Sequence, residues 1–419
     1  YLISKNLSFD ILPQNTHGQV RNRTDFMGDF SSNDSLSWSY NSVRRFIDFR
    51  AEGASSVNTY EIYSWSGSFL LDDTPTFLYV NDDKIIGSLN SDIIFGIENV
   101  IGTAFADSIV GDIANNTLIG GAGNDILNGL GGDNRLEGGA DNDTLISGSG
   151  NNYVDGGTGS DTVDYSSLTG TNFGDDDSIA GQVNGIYYSG IKVDLTNTSA
   201  QRIHANYGTD TILNIENVIG STKNDYIIGN DEKNILDGKG GNDYFVLGQG
   251  QDTILGDTGT DTITFTNILR TTGVNVDLSK NQSYGSPDSY RVISDGFGNA
   301  KYLDSIENVI GTSYDDTIFG NSDANTLIGG AGIDTLKGGL GADVLDGGTG
   351  EDWAYFNDIA VSGVNIVLDT DGNIANGSSG TSNITGYTTT LLGIEHIKAT
   401  ILADTIRADD NANSILAGG

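Results

Sequence analysis

From Gly102 to Asp164 the chain repeats one pattern of polar and apolar positions every nine residues. It reads GTAFADSIV, GDIANNTLI, GGAGNDILN, GLGGDNRLE, GGADNDTLI, SGSGNNYVD, GGTGSDTVD, without insertion. The first six positions of each copy are mostly Gly, Asn, Asp and small residues, which accept tight turns and left-handed dihedrals. The last three set one large apolar side chain between two outward ones, the period of a very short strand. That eighth position is Ile109, Leu118, Leu127, Leu136, Leu145, Val154 and Val163 in turn. One apolar residue in nine cannot build a core alone. The pattern therefore predicts stacked rungs whose eighth positions merge into one internal stripe.

The pattern returns from Gly220 to Thr264 and from Gly311 to Tyr355, and begins again at residue 399. Ile, Leu, Val or Phe fills 18 of the 19 eighth positions; the exception is Ala354, between Trp353 and Tyr355. A marker phrase introduces each array: IENVIG before Thr103, again before Ser221 and before Thr312, and GIEHIKA before Thr400. Between arrays lie longer inserts sharing GIKVDLTN (190–197), GVNVDLSK (273–280) and GVNIVLDT (363–370), which read as regular strands within wider rungs. The stretches 170–190 and 372–386 are rich in Gly, Asp and Ser and read as surface loops. No segment shows a sustained helical period with caps.

The sequence thus predicts an all-β chain: a parallel β-roll or β-helix solenoid of nonapeptide repeats, interrupted by β-rich inserts, with a distinct N-terminal β-rich cap. The expected boundaries are 1–60 for the cap, 61–164, 165–264, 265–355 and 356–419, each later segment ending in an array. Residues 1–60 hold no nonapeptide and are aromatic, with Phe9, Phe26, Phe30, Trp38, Tyr40, Phe46 and Phe49. They read as a seal on the first rung, or as a docking segment for the acidic repeats of a neighbouring molecule; the two roles are compatible.

The sixth position carries the chemistry. Two nonapeptides make a closed turn, so loops n and n+2 stack on one edge. In the first array this puts Asp107, Asp125, Asp143 and Asp161 on one edge and Asn116, Asn134 and Asn152 on the other. The second array sets Asp225, Asp243 and Asp261 against Asn234 and Asp252; the third sets Asp316, Asp334 and Asp352 against Asn325 and Asp343. The truncated fourth offers Asp404. Facing carboxylates with turn carbonyls form a hard all-oxygen cage that suits Ca²⁺. Counting neighbouring Asp–Asp pairs gives about seven strong sites. The Asn edge keeps an oxygen but loses charge, so it predicts weak binding or a dry amide ladder.

The spacing, glycine framework and apolar eighth position resemble the RTX (hemolysin-type calcium-binding) repeats of secreted bacterial proteins. The resemblance implies calcium held by the sixth-position Asp of stacked loops and by loop carbonyls. It also implies export of an unfolded chain from a Gram-negative-type bacterium by type I secretion, with calcium-driven folding outside the cell.

Composition narrows the functions. A formal charge of −37 repels nucleic acid and favours divalent cations. With no Cys there are no disulfides or thiolate metal sites. No apolar run of about 18 residues predicts a membrane span. No secretory signal peptide opens the chain, and it is expected to be a processed or partial form of something longer. His17, His204 and His396 form no H-E-x-x-H, and no G-x-S-x-G occurs, so neither a zinc protease nor a lipase elbow is present and the chain reads as non-enzymatic. The run Asp175, Asp176, Asp177 reads as a solvated loop. The leading expectation is a calcium-dependent extracellular structural or adhesive protein, such as a surface-layer, sheath or filament subunit. It would self-associate, with a cell-surface polysaccharide as a further candidate partner. The alternative is a non-catalytic folding and secretion module of a larger enzyme or toxin; ice or mineral binding is weaker, since the outward positions form no Thr ladder.

Overall fold

The computed structural model describes residues 98–168, 188–204, 206–265, 270–279, 292–356, 388–407 and 413–416, with the backbone of further strands between 35 and 94, at 181–188 and between 365 and 387. Among the described residues every regular element is a strand, and no helix is long and apolar enough to cross a membrane. The chain divides into two units. One comprises 1–175 with 197–219, and the other 176–196 with 220–419.

In the first unit, successive repeats alternate between two parallel ladders. One runs through Asn99–Ile101, Thr117–Ala122, Arg135–Ala140, Tyr153–Thr158 and Gly208–Leu213. The other runs through Ser108–Val110, Ile126–Asn128, Thr144–Ile146, Thr162–Asp164 and Asn217–Ile219. The register pairs Leu118 with Leu136 and Leu127 with Leu145, which is two nonapeptides per turn. Every eighth-position side chain from Ile109 to Val163 is fully buried, each contributing about 1.5–3 kcal/mol relative to exposure.

The second unit repeats the scheme. Lys192–Asp194, Tyr226–Ile228, Tyr244–Val246, Thr262–Thr264, Asn308–Ile310, Thr326–Ala331 and Val344–Thr349 form one parallel ladder. Ile235–Asp237, Thr253–Leu255 and Tyr302–Asp304 form another. Asn275–Asp277, Thr317–Phe319, Thr335–Lys337, Trp353–Tyr355 and His396–Lys398 form a third. Ala354, the one small eighth position, is as buried as the other eighth positions of the first three arrays, whereas Ile415 of the fourth is 40% exposed.

Glycine is demanded where loops stack. A Cβ on Gly120 would collide with Oδ2 of Asp125, and Gly139 adopts φ of 120° directly over the carbonyl of Gly121. Each insert strand serves as a rung beneath the array that follows it. Lys192–Asp194 pairs with Tyr226–Ile228, and Asn275–Asp277 with Thr317–Phe319. The side chains of residues 1–60, and Asp175 to Asp177, lie outside the described residues; of the cap, only backbone strands are placed, including the antiparallel pair Ser35–Asn41 and Phe46–Glu52.

Candidate functional site

The sixth-position carboxylates form a bonded column along one edge of each array. The backbone N–H of Asp107 donates to Oδ1 of Asp125 (2.7 Å), Asp125 to Asp143 (2.8 Å) and Asp143 to Asp161 (2.8 Å). Asp225, Asp243 and Asp261 repeat this at 2.8 Å, and Asp316, Asp334 and Asp352 at 2.7 Å. Each bond spans one turn, so Oδ1 fixes the carboxylate and turns Oδ2 into its own loop.

That second oxygen is the decisive feature. Oδ2 of Asp125, Asp143, Asp161, Asp243, Asp261, Asp334, Asp343 and Asp352 is buried and accepts no hydrogen bond, as is Oδ1 of Asp107. A buried acceptor without a partner costs about 1–3 kcal/mol, and more when charged. Burial pushes Asp125, Asp261 and Asp334 up to about 7, and Asp143 and Asp343 up to about 6, with neighbouring carboxylates adding to the rise at all but Asp343. Asp243, enclosed between Asp225 and Asp261, is raised furthest in direction by burial and then by Asp225. Among the described residues no three His, Cys, Asp or Glu side chains gather where they could hold a metal. Each pair of loops brings two carboxylates, and backbone carbonyls must supply the rest. Oxygen-only donors, negative and short of a partner, fit a hard divalent cation.

A family model for the RTX calcium-binding nonapeptide repeat (four copies) matches residues 101–136, 129–163, 214–245, 228–263, 304–336 and 319–354. The three arrays that it matches are RTX calcium-binding repeats. Calcium binding is the property of this repeat, and secretion its usual setting. No curated protein matches the chain.

Each array opens with a device absent from the sequence reading. Thr103, Ser221, Thr312 and Thr400, all at the second position, direct their hydroxyls at the Asp of their own loop. In the second array both oxygens of Asp225 are engaged, by the N–H and hydroxyl of Ser221 and by the N–H of Ile191. Asp316 is engaged likewise by Thr312 and Val274. Both oxygens of these two Asp thus have protein donors, whereas Asp243, Asp261, Asp334 and Asp352 along the same columns have one only at Oδ1. Asp404 is half-buried and bonded by Thr400.

The opposite edge differs in each RTX array. In the first it is an amide ladder. Asn116 donates through its backbone to Asn134, and Asn134 to Asn152. Nδ2 of Asn134 donates to the carbonyls of Gly129, Gly131 and Gly132 at 3.2, 3.1 and 3.2 Å, placing an N–H donor where the loop oxygens converge. The side-chain amide of Asn134 therefore bonds its own loop. The ladder ends on Asp210, which accepts from Asn152 Nδ2 and from the hydroxyl of Tyr165, both at 2.9 Å.

In the second RTX array a side-chain cation lies on this edge. Asp252 was expected among the metal ligands, but Nζ of Lys301 lies 2.7 Å from its Oδ2. The same ammonium donates to the carbonyls of Gly248, Gln249 and Gly250 at 2.9, 2.5 and 2.9 Å, and lies 3.2 Å from Asp295. Tyr302 stands one turn from Thr253, so Lys301 holds the sixth position of its own rung, where Asp210 stands in the first unit. A side-chain cation has taken the loop. In the third array that position is Thr389, whose buried hydroxyl, like Oδ2 of Asp343, finds no partner.

Sequence reasoning also missed the acids of the marker phrase. Glu216, Glu307 and Glu395 accept the backbone N–H of Asp161, Asp261 and Asp352 at 2.8, 2.8 and 2.7 Å, each continuing a carboxylate column beyond its last RTX repeat. The signal was the register: Asn217 pairs with Thr162, which makes Glu216 a sixth-position residue.

Proposed function

We propose that this chain is a calcium-dependent extracellular structural or adhesive protein, exported unfolded by type I secretion and locked by ions into a rigid subunit of a surface layer, sheath or filament. The observation that supports it is the column of buried Asp oxygens without partners, repeated in three arrays. The residues we assign to calcium are Asp107, Asp125, Asp143 and Asp161; Asp243 and Asp261; and Asp334, Asp343 and Asp352, with Asp225 and Asp316 as anchored members of their columns. Where calcium is scarce, like charges and a thin apolar stripe keep the chain expanded. Where it is abundant, an ion bound only by the folded form stabilises that form by mass action.

The arrays are distributed through the chain, which favours a structural role. Electron microscopy with sedimentation, before and after millimolar calcium is added to the chelated chain, tests the reading. Ordered fibres or sheets are expected. A compact monomer would instead favour a folding and secretion module of a larger protein, and no response to calcium would overturn the proposal altogether.

A further inference from the structure

Each of the first three arrays is followed by the same three-residue return. Leu213 closes one rung, and Asn214, Ile215 and Glu216 lead straight to the strand Asn217–Ile219. A regular repeat would spend six residues there. The return recurs as Ser305, Ile306, Glu307 and as Gly393, Ile394, Glu395, and its first residue is left-handed each time, with φ of 50°, 53° and 52°.

This shortened loop reproduces the environment of an interior repeat. Within the first array the carbonyl of Gly156 lies over Gly138, beside Oδ2 of Asp143. One turn later the carbonyl of Asn214 lies over Gly156, beside Asp161. The carbonyls of Ser305 and Gly393 lie in the same way over Gly256 and Gly347, beside Asp261 and Asp352. Asp161, Asp261 and Asp352 are each fully buried, and each keeps an Oδ2 without a partner. The side chain reaching back from the return is Glu every time. Glu, one methylene longer than the Asp of the interior loops, reaches the column from a loop three residues shorter.

We propose that each return loop completes one more divalent-cation site, formed by Asp161 with Glu216, Asp261 with Glu307, and Asp352 with Glu395, together with the carbonyls of Asn214, Ser305 and Gly393. The marker phrase is then the closing half of a metal site as well as a connector. This inference rests on the calcium reading above.

Glu→Gln substitutions separate ligation from architecture, because the amide oxygen still accepts the backbone N–H while the charge is lost. Calcium bound per chain at saturation is counted by native mass spectrometry and equilibrium dialysis. Glu216→Gln, Glu307→Gln and Glu395→Gln are each expected to remove one ion, or weaken one site at least tenfold, and the triple variant to remove three. Asp161→Asn with Glu216→Gln should lose no more than Asp161→Asn alone, since the one site that Glu216 serves is also served by Asp161. Glu395→Asp should fail to restore the ion, being too short for the return. Asp143→Asn serves as the control that loss at an interior site is detectable. An unchanged count and affinity in the Glu→Gln variants, with the wild type binding calcium and the control losing it, overturns this inference alone. A wild-type chain that binds no calcium overturns it together with the reading it rests on.

Discussion

The ammonium of Lys301 lies 2.7 Å from Oδ2 of Asp252, with both side chains sealed from solvent. Five oxygens, three of them carbonyls of one glycine-rich loop, surround a single positive charge. Removing one partner from a buried pair leaves the other charge uncompensated, at about 3–5 kcal/mol. Lys301→Met should therefore lower the stability of the metal-free protein by that amount in urea unfolding. An unchanged midpoint would show that the ammonium does not anchor the loop.

The two edges of the first array should respond differently to truncation. Asp143→Ala and Asp125→Ala remove carboxylates whose second oxygen has no protein partner, so calcium affinity should fall at least tenfold in isothermal titration. Asn134→Ala removes amide bonds to Gly129, Gly131 and Gly132, so it should lower stability and leave affinity nearly unchanged. Equal losses of affinity on both edges would contradict the assignment.

Protons and calcium should compete for the same columns. Asp125 and Asp334 are raised to about 7 in the folded chain, from an ordinary value of 3.8, chiefly by burial. Between those values the folded form binds more protons than the unfolded form, so metal-free stability decreases with rising pH. The metal-free protein should unfold at higher urea near pH 5 than near pH 7.5, and calcium affinity should weaken over the same descent. A metal-free midpoint that rises with pH would show the columns to be solvated.

The apolar stripe predicts a sharp contrast between adjacent positions. Leu136 is fully buried, stacked in register between Leu118 and Val154, and Leu136→Ala should cost about 2–5 kcal/mol. Ile126 is 45% exposed beside buried Leu127, and Ile126→Ala should change stability by about 0.5 kcal/mol or less. Calorimetry in calcium measures both, and similar losses would mean that the strands do not keep this facing.

Much of the site was legible because a nine-residue period repeats the same local physics. Asp125 and Asp143 could be placed on one edge from spacing alone, since two repeats make a turn. Glu216 could not, because its loop has three residues instead of six and falls out of the period. Lys301 was still less visible, as nothing local distinguishes a lysine in an insert from a solvated one until its rung is aligned with Asp252.

By itself, the sequence determined the strand and turn periodicity, the apolar stripe from Ile109 to Val163, the alternation of Asp and Asn, and the acidic chemistry of the loops. These follow from side-chain type at fixed short spacing. Only the tertiary structure decided which oxygens have partners. It satisfied Asp225 through Ser221 and Ile191, gave Asp252 a lysine, and left Oδ2 of Asp161 open beneath Glu216. Those partners come from inserts and returns of irregular length, so their contacts exist only once the rungs have stacked.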